Sequence, residues 1–459
     1  MGLLMAVALP WLAGSALLAA AATRSDRYNV WVIAGYGLPL GLLITVFALR
    51  VSSAVLSGFS FAVIAGLLLL VALVAVVVCL RQRQRVMPSV PRIQKVDWLV
   101  VVLLAVIVYR FGHLVVGAAV QPLVGADTWW FWASKARVWY ETGYLAPFVP
   151  YAQWIVTDHA GTMVYADPKP GYPALVPLSK TWIALAMGRW DEALTNAMWP
   201  ALFAALLFAF YGQLRLVAGQ RYSMLLTALL AGIPLLNMNV FGAGLADLFV
   251  AVGFGLAAMA LYQAARSGDR WQWWLFGIGV LLCAWAKLIG LLLVLCLVPG
   301  VALVLLPRRI WWWLMGLGVA MIMAVAVTFV ISGIEWLGMT ADYLKLSFHG
   351  ETVLPFFRRI FVEEGWHLLW YGFLLGVVAA LWRRSMDQAT VAVGLSLVCA
   401  FAFLAFVFTS TIFATRGGQD AVPRHLLHLA PAALFLSAVI WSRLLGGAAK
   451  LGVQRGTAY

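Results

Sequence analysis

The stretch GADTWWFWASKAR, residues 125–137, sets a single carboxylate, Asp127, before a run of aromatics and two cations, Lys135 and Arg137. An acid at the edge of an apolar run is costly unless it is solvated, paired or used. Used, it can take a proton from a hydroxyl as a general base. Paired, it is an interfacial acid bound to Lys135 or Arg137. A second such stretch is YADPKPGYP, residues 165–173, where Asp167 and Lys169 stand one residue apart among Pro168, Pro170 and Pro173. Proline fixes φ and stiffens the backbone, so an acid and an ammonium displayed here suit a ligand bearing both a phosphate and a hydroxyl. A solvated loop pair is the plainer alternative.

Further charges interrupt apolar sequence: Lys287 in AWAKLIG, Arg424 with His425 in AVPRHLLHLAPA, and Asp247 in GLADL. A lysine inside an apolar run must snorkel, pair or hold an anion. Arginine's planar fork suits bidentate phosphate contacts. Asp247 opens a span and is expected to line the same cavity. Arg358 and Arg359 are explained equally well by snorkelling. His159, His349, His367 and His425 show no spacing typical of a metal site, so metal ligands stay unassigned. The tryptophans at 129, 130 and 132 fit an interfacial aromatic belt.

The elements that position these residues follow from composition. The chain has 459 residues, 64% hydrophobic and only 10% charged. Apolar runs of about 20 residues recur, the length that crosses a bilayer, which predicts an all-α polytopic membrane protein. The net charge of +14 sits in short clusters between runs: Arg81 to Lys95, Arg266 and Arg270, Arg308 and Arg309, Arg383 and Arg384. Cytoplasmic loops show this pattern, so membrane lipids rather than nucleic acid are the expected partners.

Placing the clusters on the cytoplasmic side predicts about thirteen spans. They lie near 3–22, 29–49, 54–80, 98–118, 196–216, 222–237 and 240–263, twice within 272–306, and near 310–332, 366–382, 389–412 and 425–444. The first is read as a retained span rather than a cleaved leader, for no basic residues precede it. Segments 119–194 and 333–365 are too long for plain connections and are expected to carry short helices at the outer membrane surface. Of the seventeen carboxylates, Asp26, Asp97, Asp269 and Asp387 fall on the cytoplasmic side and the others at or near the outer face. Cys79, Cys283, Cys296 and Cys399 all lie in apolar runs and suggest core residues rather than disulfides.

Taken in order, the stretches GAD, DPKPGYP, GLADL, AWAKLIG and RHLLHLAPA resemble integral-membrane glycosyltransferases of the GT-C fold, most nearly the protein O-mannosyltransferase and aminoarabinose-transferase type. The likeness covers roughly 98–444 and leaves 1–97 as additional N-terminal helices and a basic loop before a catalytic core at 98–459. The chain departs at two points: Asp127-Thr128 where many relatives have Asp-Glu, and Lys169-Pro170-Gly171-Tyr172 in place of KPPL. The resemblance implies inverting transfer of a sugar from a polyprenyl-phosphate-linked donor to a lipid, glycan or protein acceptor. It places the site on the periplasmic or exterior side of a bacterial inner membrane. Asp127 would be the base, Lys169 and Arg424 would hold the donor phosphate, and Asp167 would orient a hydroxyl. Lys287, His425 and Asp247 would complete the binding site. A divalent metal is optional, because the leaving group is already a phosphate. Competing readings are a polysaccharide polymerase or ligase using a lipid-diphosphate oligosaccharide, a flippase or transporter of lipid-linked substrate, and a non-catalytic assembly scaffold. A transporter usually carries an internal repeat, and none is evident.

Overall fold

The computed structural model describes residues 1–22, 29–82, 97–123, 125–156, 163–307, 310, 349–363, 365–410, 413–414 and 416–455. Almost all of the span expected near 310–332, the segment 333–348, and Asp26, His159 and the basic residues at 83–95 and 308–309 lie outside them. Among the described residues the chain is all-α apart from one two-residue strand pair, and eight helices are long and apolar enough to cross a membrane. The number becomes nine if a bent pair counts as one span.

Helices α1 (Gly2–Ala22) and α2 (Val30–Val55) form a hairpin against α8 (Met198–Arg215). Their contact is backbone to backbone. A Cβ on Gly41 would lie 1.7 Å from the Pro10 carbonyl oxygen, and one on Gly14 would lie 2.0 Å from that of Gly37. Small residues at such a seam let apolar helices approach closely where the hydrophobic effect gives no drive. The hairpin is built into the core: Tyr36 Oη donates to the Leu256 carbonyl at 2.7 Å, and Trp182 Nε1 donates to that of Ala6 at 2.8 Å. By contrast α3 (Phe61–Gln82) and α4 (Trp98–Val120) present mostly exposed apolar side chains.

The axis of the fold is α11 (Asp247–Ser267), whose apolar window is 94% buried. A helix apolar on all sides belongs inside, and α11 packs on α8, on α12 (Arg270–Ala286) and on two later helices, Gln388–Ser410 and Ala430–Arg455. Side-chain amides tie the layers: Gln213 Nε2 reaches Gln272 Oε1 at 3.1 Å, and Gln263 Nε2 reaches the Gln213 carbonyl at 2.9 Å. At the far end of α11 from Asp247, Arg443 binds Asp387 and Tyr262, both at 2.6 Å.

One expected span is bent and one expected double stretch divides at a break. The first is α9 (Gln220–Gly232) followed by α10 (Pro234–Phe241), bent by 59° at Ile233, where proline opens the second helix. The other break falls at Lys287, which is extended between α12 and α13 (Leu288–Leu295), with α14 (Val298–Leu305) following. The division expected within 272–306 therefore lies at the lysine.

The segment 119–194 contains a π-helical turn (Thr128–Ala133), α5 (Ser134–Thr142), β1 (Phe148–Val149), α6 (Tyr151–Val156), β2 (Tyr165–Ala166) and α7 (Leu175–Met187). Not all of it lies at the surface as expected: every residue of α7 from Leu175 to Ala184 is buried, with Trp182 against α1. Later come α15 (Val353–Phe361), α16 (Leu369–Trp382), α17 (Gln388–Ser410), α18 (Val422–Leu426) and α19 (Ala430–Arg455). In α15 Phe356 and Ile360 face inward while Leu354 and Phe357 are exposed, the pattern of an interfacial helix.

Candidate active site

Asp127 closes the turn just before the π-helical stretch, whose extra residue per turn often marks functional positions. The turn preceding α11 lies against it. Gly244 there adopts φ +121, and a Cβ on it would lie 2.2 Å from Thr128 Cγ2. Only glycine satisfies both demands. Trp199 Nε1 donates to the Leu245 carbonyl at 2.8 Å and fixes the same turn. These contacts bring the first residue of α11, Asp247, into the neighbourhood of Asp127. They also bury Thr128, so an acid at 128 would have no room to turn outward.

One arginine joins the two carboxylates. Arg424 Nη2 stands 2.9 Å from an oxygen of Asp127 and 2.9 Å from an oxygen of Asp247. Asp247 is fully buried and takes two further partners, Lys287 Nζ at 2.9 Å and His428 Nε2 at 3.0 Å. An ionised carboxylate without water is costly by several kcal/mol unless donors surround it, and three cationic or donor side chains do so here. Asp127 is different: its side chain is 42% exposed and open to a reactant. The cluster thus joins a buried anchor, Asp247, to a reachable acid through a shared guanidinium. Lys287 arrives because the break between α12 and α13 ends a helix at that depth. His425 lies beside the cluster, its Nδ1 2.8 Å from the Ala421 carbonyl and its ring on Phe408 and His428.

The second stretch is arranged otherwise. Lys135 and Asp167 form a salt bridge of 3.0 Å, and both side chains are almost wholly buried. Lys135 Nζ also donates to the Lys169 carbonyl at 2.7 Å, and Asp167 accepts from the Lys169 backbone N–H. The parallel pairing of β1 with β2 sets Asp167 in place, its N–H bonded to the Val149 carbonyl at 2.9 Å. Burial pulls the Lys135 ammonium below the ordinary lysine value, while its attraction to Asp167 opposes the shift. Asp167 was expected to face a substrate hydroxyl. In the structure both of its oxygens are occupied, so it fastens the loop that carries Lys169. Lys169 itself is part-exposed on that loop.

Asp127 therefore pairs with neither Lys135 nor Arg137, the latter bonded to Glu141 at 2.8 Å one turn along α5. The cluster unites Asp127, Asp247, Lys287 and Arg424, sets His425 at its edge, and holds Asp167 apart in the Lys135 pair. His428 escaped the sequence reading, although it lies four residues after Arg424 in a helical stretch, where side chains share a face. Arg359 binds Glu363 at 2.6 Å and also Asp420, tying α15 to the segment that leads into Arg424. Among the described residues, no group of three His, Cys, Asp or Glu side chains is placed to hold a metal. No family model, curated protein or solved structure matches this chain.

Proposed function

We propose that the protein is a membrane glycosyltransferase that moves a sugar from a polyprenyl-phosphate-linked donor to an acceptor hydroxyl, with inversion. The observation that carries this reading is the exposed Asp127 carboxylate held 2.9 Å from an arginine that is itself anchored to buried Asp247. Inverting displacement needs a base on the acceptor side and positive charge where the phosphate departs. In the reaction, Asp127 accepts the hydroxyl proton as the acceptor oxygen bonds to the anomeric carbon. The bond from that carbon to the phosphate oxygen breaks, and its electron pair leaves on the polyprenyl phosphate. Arg424 is shared between Asp127 and Asp247, so an arriving phosphate competes for it and frees Asp127 to act as base. Lys169 and Lys287 supply further positive charge. The site faces the side opposite the Arg443–Asp387 contact, the extracytoplasmic side if the basic clusters are cytoplasmic.

The test is release of polyprenyl phosphate by the purified protein in lipid nanodiscs, with a panel of polyprenyl-phosphate sugars. Asp127→Asn should retain the parent's unfolding behaviour and lose about 100- to 10,000-fold in rate, the usual contribution of a positioned base. A folded Asn variant with parental activity would end the proposal. A second reading, movement of an intact lipid-linked substrate between leaflets, draws on the broken helix at Ile233, a feature of transporters. Leaflet exchange of the intact donor without release of polyprenyl phosphate would favour it.

A further inference from the structure

On the Asp127 side of the molecule, the end of α2 meets α5 and the 170–174 loop around a cavity of about 360 Å³. Arg50, Lys135, Trp139, Phe148 and Tyr172 are among its walls. The two cations differ. Lys135 is neutralised by Asp167 at 3.0 Å. Arg50 has no hydrogen-bond or ion-pair partner among the described residues. Arg424, Lys287 and Arg359 on the same side each hold a carboxylate, whereas the Arg50 guanidinium, which lines the cavity, is used by no contact among the described residues.

Its surroundings say what it could hold. Phe47, Val51 and Val55 on the same helix are exposed, which sets Arg50 at the rim of an apolar, lipid-facing surface. Behind it the cavity is lined with rings. Trp139 meets Phe148 edge-on at 6.0 Å, and Tyr172 stacks on Trp132 at 5.5 Å. The cavity is anchored against movement: Leu145 N–H donates to Ser53 Oγ at 2.9 Å, joining the loop to α2. A pre-formed pocket whose mixed lining combines aromatic rings with polar backbone and one unneutralised cation suits a ligand with a carbon skeleton and a single anionic group, and a guanidinium fork grips phosphate best.

We propose that this cavity is a phosphate-binding site distinct from the Asp127 cluster, in which Arg50 holds the phosphate and the aromatic wall packs against the carbon skeleton attached to it. The phosphate can belong to a lipid headgroup or to a soluble sugar phosphate, and the assignment does not depend on the transferase reading. The test has two arms, both on the full chain. In phosphatidylcholine nanodiscs, glucose 1-phosphate is titrated calorimetrically. In the second arm, native mass spectrometry counts phosphatidylglycerol retained from mixed nanodiscs.

One-to-one saturable binding is expected in at least one arm. Arg50→Gln should weaken it about tenfold or more, the loss of one charge-assisted hydrogen bond, and Arg50→Glu should abolish it. Dependence on Arg50 in the first arm identifies a soluble ligand, and in the second a headgroup. Because Arg50 is exposed and unpaired, both variants should unfold like the parent; Arg50→Lys, which keeps the charge and loses the fork, should fall between. The proposal is overturned if neither arm saturates, or if Arg50→Gln binds as the parent does in both.

Discussion

Replacing Asp247 with asparagine tests whether the cluster is held by its buried charge. In the parent, Asp247 is fully buried and contacts Lys287 at 2.9 Å, Arg424 at 2.9 Å and His428 at 3.0 Å. An asparagine in its place would keep the shape but leave Lys287, whose side chain is only 15% exposed, without an anion. Breaking a buried pair on one side costs about 3–5 kcal/mol. Lys287→Met alone leaves Asp247 with Arg424 and His428 and should cost about 2–4 kcal/mol by the same reasoning. Removing both leaves no orphaned lysine, so the double variant should cost less than the sum by about 2 kcal/mol, the coupling expected of contacting charges. The assay is reversible unfolding in mixed micelles by a denaturing detergent, read by far-ultraviolet circular dichroism for the parent, both single variants and the double variant. Strict additivity, or an Asp247→Asn protein as stable as the parent, would refute the claim that this carboxylate organises the site. Under the proposed transferase reading, activity adds a second readout, since Asp247→Asn returns all of Arg424 to Asp127 and should slow the proposed sugar transfer even in molecules that remain folded.

Two other outcomes follow from the geometry. Lys135→Met orphans the buried Asp167 carboxylate, so amide exchange across 163–173 should accelerate by at least about tenfold, and Lys135→Met with Asp167→Leu should recover part of the protection; unchanged exchange would refute the fastening role. At the opposite face, burial raises the Asp387 carboxyl, but hydrogen bonds from Arg443 and Thr390 outweigh that and hold it at about 2, below its ordinary 3.8. A carboxyl with a lowered folded-state value contributes stability above its unfolded value and loses it as pH falls. Stability should therefore drop between pH 3.8 and about 2, with a shallower drop in Asp387→Asn; superimposable pH profiles would contradict this.

The sequence was enough to establish a helical, membrane-type chain, because period-independent apolar runs of about 20 residues have few other folds open to them. It also pointed to Asp127, Asp247, Lys287 and Arg424, which the fold brings together, since an ionisable group in such a run is expensive and rarely incidental. That the 272–306 stretch had to divide was legible, but its position at Lys287 came only with the structure. The expected number of spans was not fixed by apolarity: α7 and α16 are apolar but only 13 and 14 residues long, and α9 is bent. The fit of α1 and α2 into the core likewise turns on glycines whose partners lie in another helix.

Which charge meets which was decided only by the tertiary structure. Local spacing offered Lys135 and Arg137 to Asp127, yet one belongs to Asp167 and the other to Glu141. The partner of Asp127 is Arg424, nearly three hundred residues along the chain, and Arg424 stands between Asp127 and Asp247 in space. Side-chain periodicity fixes neighbours within one helix. Across helices, pairing depends on crossings and on close approaches such as Gly244 against Thr128, and these exist only once the whole chain has packed.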